Sequence, residues 1–163
     1  MPDLLSHALI AYSLATVASW RYDWVTRPYV TAAMAGAFIP DMAKTALIVP
    51  STRVERFIGM PFDWFGLHTL GAAVCSVLIG VVLVSQHERR RVGLLLSLGS
   101  GSHLFADALL RKPTGLSYPL LWPLSRVYPP TPGLYLSTDV WPGLVLSVVA
   151  VIIWSVDKRR VPT

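Results

Sequence analysis

The sequence predicts an all-α integral membrane bundle of about five spans, built as a single domain over residues 1–163 with a proline-rich interfacial segment. Three observations predict it. Hydrophobic residues make up 53% of the chain and charged residues only 14%, against about 25% charged in soluble domains. The mean hydropathy is +0.54. Five stretches approach the roughly 20 apolar residues that a membrane-crossing helix needs.

The stretches lie at about 4–20, 28–49, 65–85, 92–110 and 140–156. The first, in MPDLLSHALIAYSLATVAS, resembles a signal peptide but has Asp3 and His7 where a basic region would stand. It reads as a retained span. Trp20, Trp24, Tyr29, Trp64, Trp141 and Trp154 fall near the expected span ends, where interfacial aromatics collect. Two connections are long. Residues 50–64 read as a polar or amphipathic loop, and residues 111–139 hold six of the thirteen prolines. That proline density excludes a regular helix and suggests a segment lying on the membrane surface or folded over the helix ends.

The net charge of +5 would suggest nucleic acid in a soluble protein. Here it fits basic loops facing anionic headgroups, so no nucleic-acid partner is expected. One membrane side receives Arg21, Arg27, Arg89, Arg90, Arg91, Lys158, Arg159 and Arg160; the other receives Arg53, Arg56, Arg111, Lys112 and Arg126. Eight against five predicts a cytoplasmic C-terminus. The single cysteine, Cys75, excludes an intramolecular disulfide and a cysteine-based zinc site.

Ionisable groups inside apolar helices are costly and are functional candidates by default. On this topology His7, Asp41, Asp63, His68, His103 and Asp107 all fall at the outer end of four different spans. His103 and Asp107, in GSGSHLFADALL, are four residues apart and share one helix face. Gly99 and Gly101 before them allow close helix approach. Three His and three Asp suit one or two divalent ions, Zn²⁺ first, with Mn²⁺ and Fe²⁺ as alternatives. Asp41 or Asp63 is the candidate general base. Arg53, Arg56, Arg111, Lys112 and Arg126 share the outer side and are candidate phosphate-binding residues. Lys44, three residues past Asp41, either pairs with it or snorkels, and the second is favoured.

These motifs resemble the YdjM-like family of membrane-bound, predicted metal-dependent hydrolases. The family pattern has a histidine on the N-terminal helix, Pro-Asp-x-Asp, His-Arg-Gly-x-Thr-His-Ser, and His-x-x-x-Asp followed by a proline-glycine turn and Leu-Leu-Trp-Pro. Here these match SHALIAYS with His7, IPDMAK with Asp41, DWFGLHTL with His68, and SHLFADALLRKPTGLSYPLLWP with His103 and Asp107. The match covers about residues 6–123, and its last element is the most specific. Two positions depart from the pattern. The second Asp of Pro-Asp-x-Asp falls on Ala43, which cannot bind metal, and the first His of the third element falls on Asp63, which can. The histidine and aspartate order is also similar to that of zinc-dependent phospholipases C. The resemblance implies a metal-dependent hydrolase. Set in a membrane, it leads to hydrolysis of a lipid-linked ester, foremost a phosphoester, by metal-activated water at the outer surface. The alternative is a non-enzymatic membrane protein with a structural metal site or an ion-pathway role.

Overall fold

The structure, a computed structural model, describes residues 4–160. It is all-helical among these residues: α1 (Leu4–Ser19), α2 (Arg27–Phe38), α3 (Ser51–Ile58), α4 (Leu70–Leu83), α5 (Arg89–Ala108) and α6 (Trp141–Arg160). Two 3₁₀ helices, Pro40–Leu47 and Trp64–His68, precede α3 and α4. Two isolated β-bridges, Leu110 with Tyr135 and Leu116 with Pro130, tie the proline-rich segment together.

The expected span at 28–49 is not one helix. α2 stops at Phe38, and an eight-residue 3₁₀ run begins at Pro40. Proline has no N–H to donate to residue 36, and its ring crowds that carbonyl. Thr69 likewise interrupts the expected span at 65–85: its extended backbone separates the short 3₁₀ helix from α4, whose first turn it caps. The expected loop at 50–64 contains α3, which buries none of its residues. The fourth helix starts earlier than expected, at Arg89, and the last runs on to Arg160.

Among the described residues α6 alone is long and apolar enough to cross a membrane by itself. Its 20 residues span about 30 Å. It buries only Ala150 and exposes Leu144, Val148, Val151 and Ile152, the all-round apolar surface expected of a lipid-facing helix. α1 and α4 are apolar but shorter, at 16 and 14 residues.

α1, α2 and α5 pack through small residues. The core joins Ala11 and Ala15 of α1 to Ala33 and Ala37 of α2, with Leu95 of α5 and Val25. Apolar side chains gain little by leaving lipid, so close backbone approach supplies the attraction. Gly36 and Gly99 show it directly. A Cβ on Gly36 would lie 2.4 Å from the Leu96 carbonyl oxygen, and one on Gly99 would lie 1.9 Å from that of Ala33. Gly101 differs: an added Cβ would meet nothing within 4 Å.

The proline-rich segment folds back as the sequence suggests. The carbonyls of Leu120 and Trp122 accept from the N–H groups of Leu70 and Gly71 at 2.7 and 2.9 Å. Helix N-termini carry N–H groups with no partner of their own, so this segment completes the start of α4.

Candidate metal centre

Five of the six expected ligands meet at one end of the bundle. His7 comes from the first turns of α1 and Asp41 from the 3₁₀ run that Pro40 starts. His68 closes the second 3₁₀ helix, and His103 and Asp107 stand one turn apart near the end of α5. His7, His68, His103 and Asp107 are fully buried, and Asp41 is 5% exposed.

The distances are short. His68 Nε2 lies 2.8 Å from Asp107 Oδ2, and His103 Nε2 lies 3.6 Å from the same oxygen. His7 Nε2 is 3.4 Å from Asp107 Oδ1, and His103 Nε2 is 3.8 Å from Asp41 Oδ1. The His7 and His103 rings stack at 3.6 Å.

Two backbone carbonyls orient two of the histidines. His103 Nδ1 donates to Ala37 O at 2.7 Å, and His68 Nδ1 donates to Pro40 O at 3.2 Å. A carbonyl only accepts, so each Nδ1 carries a proton, and in the neutral ring Nε2 presents its lone pair to the cluster. Ala37 lies in the last turn of α2, where helix carbonyls lack their regular partners. The helix break at Pro40 thus places Asp41 and accounts for the carbonyls that hold both rings.

Beyond the contacts among themselves, the inward atoms have no hydrogen-bond partners. They include the Nε2 atoms of His7, His68 and His103, Oδ1 of Asp41 and both oxygens of Asp107. Buried polar atoms are rarely left so, and imidazoles held through the other ring nitrogen are the usual metal-binding arrangement. Two triads, His7/His103/Asp107 and Asp41/His68/His103, each bring their ligand atoms within 4.8 Å of one another and could hold a metal ion. Both use His103. With Nδ1 occupied by Ala37, its single free nitrogen can serve one ion only.

Asp63 is not part of this group. It is exposed and caps the short 3₁₀ helix, accepting from Phe65 N–H at 2.9 Å. The backbone there is extended, and only the following residues turn inward to carry His68. Lys44, expected to snorkel, instead pairs with Asp41 Oδ2 at 2.8 Å.

The basic residues of that side separate as well. Arg53 and Arg56 are exposed on α3, and Arg111 and Arg126 are exposed in the proline-rich segment. Lys112 differs. Its Nζ is buried without a hydrogen-bond partner and sits 2.8 Å from the centre of the Tyr118 ring, which itself packs on His68 with centroids 5.2 Å apart. Burial pushes the Lys112 ammonium down to about 8, opposed by the nearby Asp107 charge. Sequence reasoning missed Tyr118 and Tyr135. Tyr118 lies inside the motif SYPLLWP and was within reach. Tyr135, whose hydroxyl donates to Ala106 O at 2.7 Å, has no local signal.

Fold and site together define an all-helical protein, with one helix long and apolar enough to cross a membrane and a buried His/Asp cluster able to hold a metal ion. The chain belongs to the YdjM inner membrane protein family, which it matches over residues 1–162. No curated protein and no solved structure matches it.

Proposed function

We propose that this membrane protein is a metal-dependent hydrolase that cleaves a phosphoester carried on a lipid. The supporting observation is the set of inward-facing imidazole nitrogens and carboxylate oxygens without hydrogen-bond partners outside the cluster, with the buried Nζ of Lys112 close by. A divalent ion held by His7, His68, His103 and Asp107, Zn²⁺ foremost, would lower the pKa of a bound water beside Asp41 and polarise the phosphoryl group.

The residues of the chain do the rest. The carbonyls of Ala37 and Pro40 keep two Nε2 lone pairs inward. Lys44 anchors Asp41 through Oδ2, which leaves Oδ1 to take the proton of the attacking water as general base. The water oxygen forms a bond to phosphorus, the P–O bond to the lipid alcohol breaks, and the leaving alkoxide takes the proton that Asp41 accepted from the water. Lys112 faces the phosphate charge. Asp63 lies outside the cluster, so the base role falls to Asp41.

On this reading the cluster lies at the outer face and the C-terminus is cytoplasmic. Contacts that gather basic groups at the opposite end support it: Arg91 over Trp24 and Tyr29, and Arg160 over Trp20. A reporter fused to the C-terminus should read out cytoplasm, and an external signal inverts the topology.

The test of activity is a hydrolysis screen of the purified protein against lipid phosphoesters, with and without a chelator. Activity abolished by chelation and restored by Zn²⁺ or Mn²⁺ supports the reading. Activity insensitive to chelation removes the metal from the mechanism.

A further inference from the structure

The short helix α3 buries none of its residues, yet it carries Phe57 at 91% exposure. Leu47, Ile48, Ile58 and Met60 are exposed as well. Single exposed apolar side chains are ordinary, but five in one short segment call for an apolar partner.

Helical spacing gives α3 three flanks. Ser51 and Glu55 share the flank that is held to the fold. The N–H of Trp64 donates to Ser51 Oγ at 3.5 Å, and that of Phe62 donates to Glu55 Oε1 at 3.1 Å. Trp64 Nε1 fastens the segment again by donating to Val49 O at 2.8 Å. Val54, Phe57 and Ile58, at i, i+3 and i+4, form an apolar flank on one side of it. Thr52 and Arg56, at i and i+4, form a polar flank on the other. A helix with an apolar and a polar flank, pinned by the edge between them, suits a membrane–water boundary. The charges fit it too. Glu55 is the only acid between Asp41 and Asp63, and its carboxylate is engaged by Phe62. The outward charges of α3 are therefore Arg53 and Arg56, both exposed.

We infer that α3 lies along the membrane surface, with Val54, Phe57 and Ile58 in the boundary between headgroups and acyl chains and Arg53 and Arg56 on the phosphates of anionic lipids. The chain belongs to an inner membrane protein family, so that surface is its immediate surroundings, and long arginine side chains reach up to it from an immersed helix. The inference is independent of the hydrolase reading. The 3₁₀ helix bearing Asp41 precedes α3 and the one ending in His68 follows it, so the seating of α3 fixes the height of the His/Asp cluster relative to the lipid phosphates.

Nitroxide labels on single cysteines test this in the purified full-length protein, placed in vesicles of phosphatidylcholine and phosphatidylglycerol. Cys75→Ala removes the one native thiol. In that background Phe57→Cys and Ile58→Cys label the apolar flank and Thr52→Cys the polar one. All three positions are exposed, so the melting temperatures should match that of the parent. Collision with O₂, which concentrates in lipid, is compared with collision with a water-soluble nickel complex. Labels at 57 and 58 should favour O₂ and lie about 5–10 Å below the phosphates, and the label at 52 should favour the nickel complex. Labels that favour nickel equally at all three positions overturn the inference.

Two further readings separate lipid from other occupants. Spin–spin broadening at residue 57 that disappears on dilution with unlabelled protein marks a second copy of the chain on this flank and overturns the assignment to lipid. In vesicles of phosphatidylcholine alone, or with Arg53→Gln and Arg56→Gln combined, the label at 57 should sit closer to the water. An unchanged depth in both overturns the assignment of the two arginines to anionic headgroups.

Discussion

Gly99 of α5 lies against Ala33 of α2 with no room for a side chain, since a Cβ would fall 1.9 Å from the Ala33 carbonyl oxygen. That contact sets the distance between the helix bearing His103 and Asp107 and the helix end that leads into Asp41. Gly99→Ala must push the helices apart. It should destabilise the protein by about 3 kcal/mol, the upper end of overpacking costs, and lower its metal content. Gly101→Ala, which meets open space, should leave both unchanged. Thermal unfolding and metal analysis of the two variants check this, and equal behaviour refutes it.

Metal content should separate the ligand candidates. Because both triads share His103, wild type should bind about one ion per chain. His103→Ala and Asp107→Ala should bind none above background. Asp63→Ala should bind as wild type does, since Asp63 caps a 3₁₀ helix instead of joining the cluster. Elemental analysis after dialysis measures all four, and loss of metal in Asp63→Ala would return that residue to the site.

Lys44 holds Oδ2 of an almost fully buried Asp41. Removing one partner of a buried ion pair costs more than the pair is worth, because the other charge stays behind. The side chain of Lys44 is 29% exposed, so water offsets part of the loss. Lys44→Met should cost about 2 kcal/mol in the metal-free protein and less with metal bound, since a cation beside Oδ1 supplies the missing attraction. Denaturation with and without Zn²⁺ checks the difference, and an equal cost in both states would place Asp41 outside the metal's reach.

Lys112 makes a pH prediction with two opposite signs. Burial lowers its folded-state pKa from the ordinary 10.5 to about 8. The folded chain therefore binds fewer protons than the unfolded chain between these values. Holding the charged lysine costs stability below about pH 8, and the cost fades as pH rises toward 10.5. Lys112→Met should raise stability at pH 7 and change it little at pH 10.5. In the proposed reaction the protonated lysine attracts phosphate, so KM should climb as pH passes about 8. Lys112→Arg, charged throughout, should remove that inflection. A KM profile with the same inflection in both proteins excludes Lys112 as its source.

The sequence alone determined the class of this protein and most of its site. Low charge and long apolar stretches leave few ways to fold outside a membrane, and burying His or Asp among them is too costly to be incidental. Counting along the chain therefore brought His7, Asp41, His68, His103 and Asp107 to one end before any coordinates. The i, i+4 spacing alone put His103 and Asp107 on one face. Local spacing could not tell which polar residues turn inward. Asp63 was equally eligible by position, and only its extended backbone and exposure set it apart. Five basic side chains shared one side by counting, but only Lys112 brings a buried Nζ close to the cluster, because the proline-rich segment folds back onto α4. The carbonyls that orient His68 and His103 belong to Pro40 and Ala37, 28 and 66 residues away. Backbone acceptors leave no trace in side-chain identity. Their availability depends on where α2 ends, and their reach depends on how closely Gly36 and Gly99 let α2 and α5 approach.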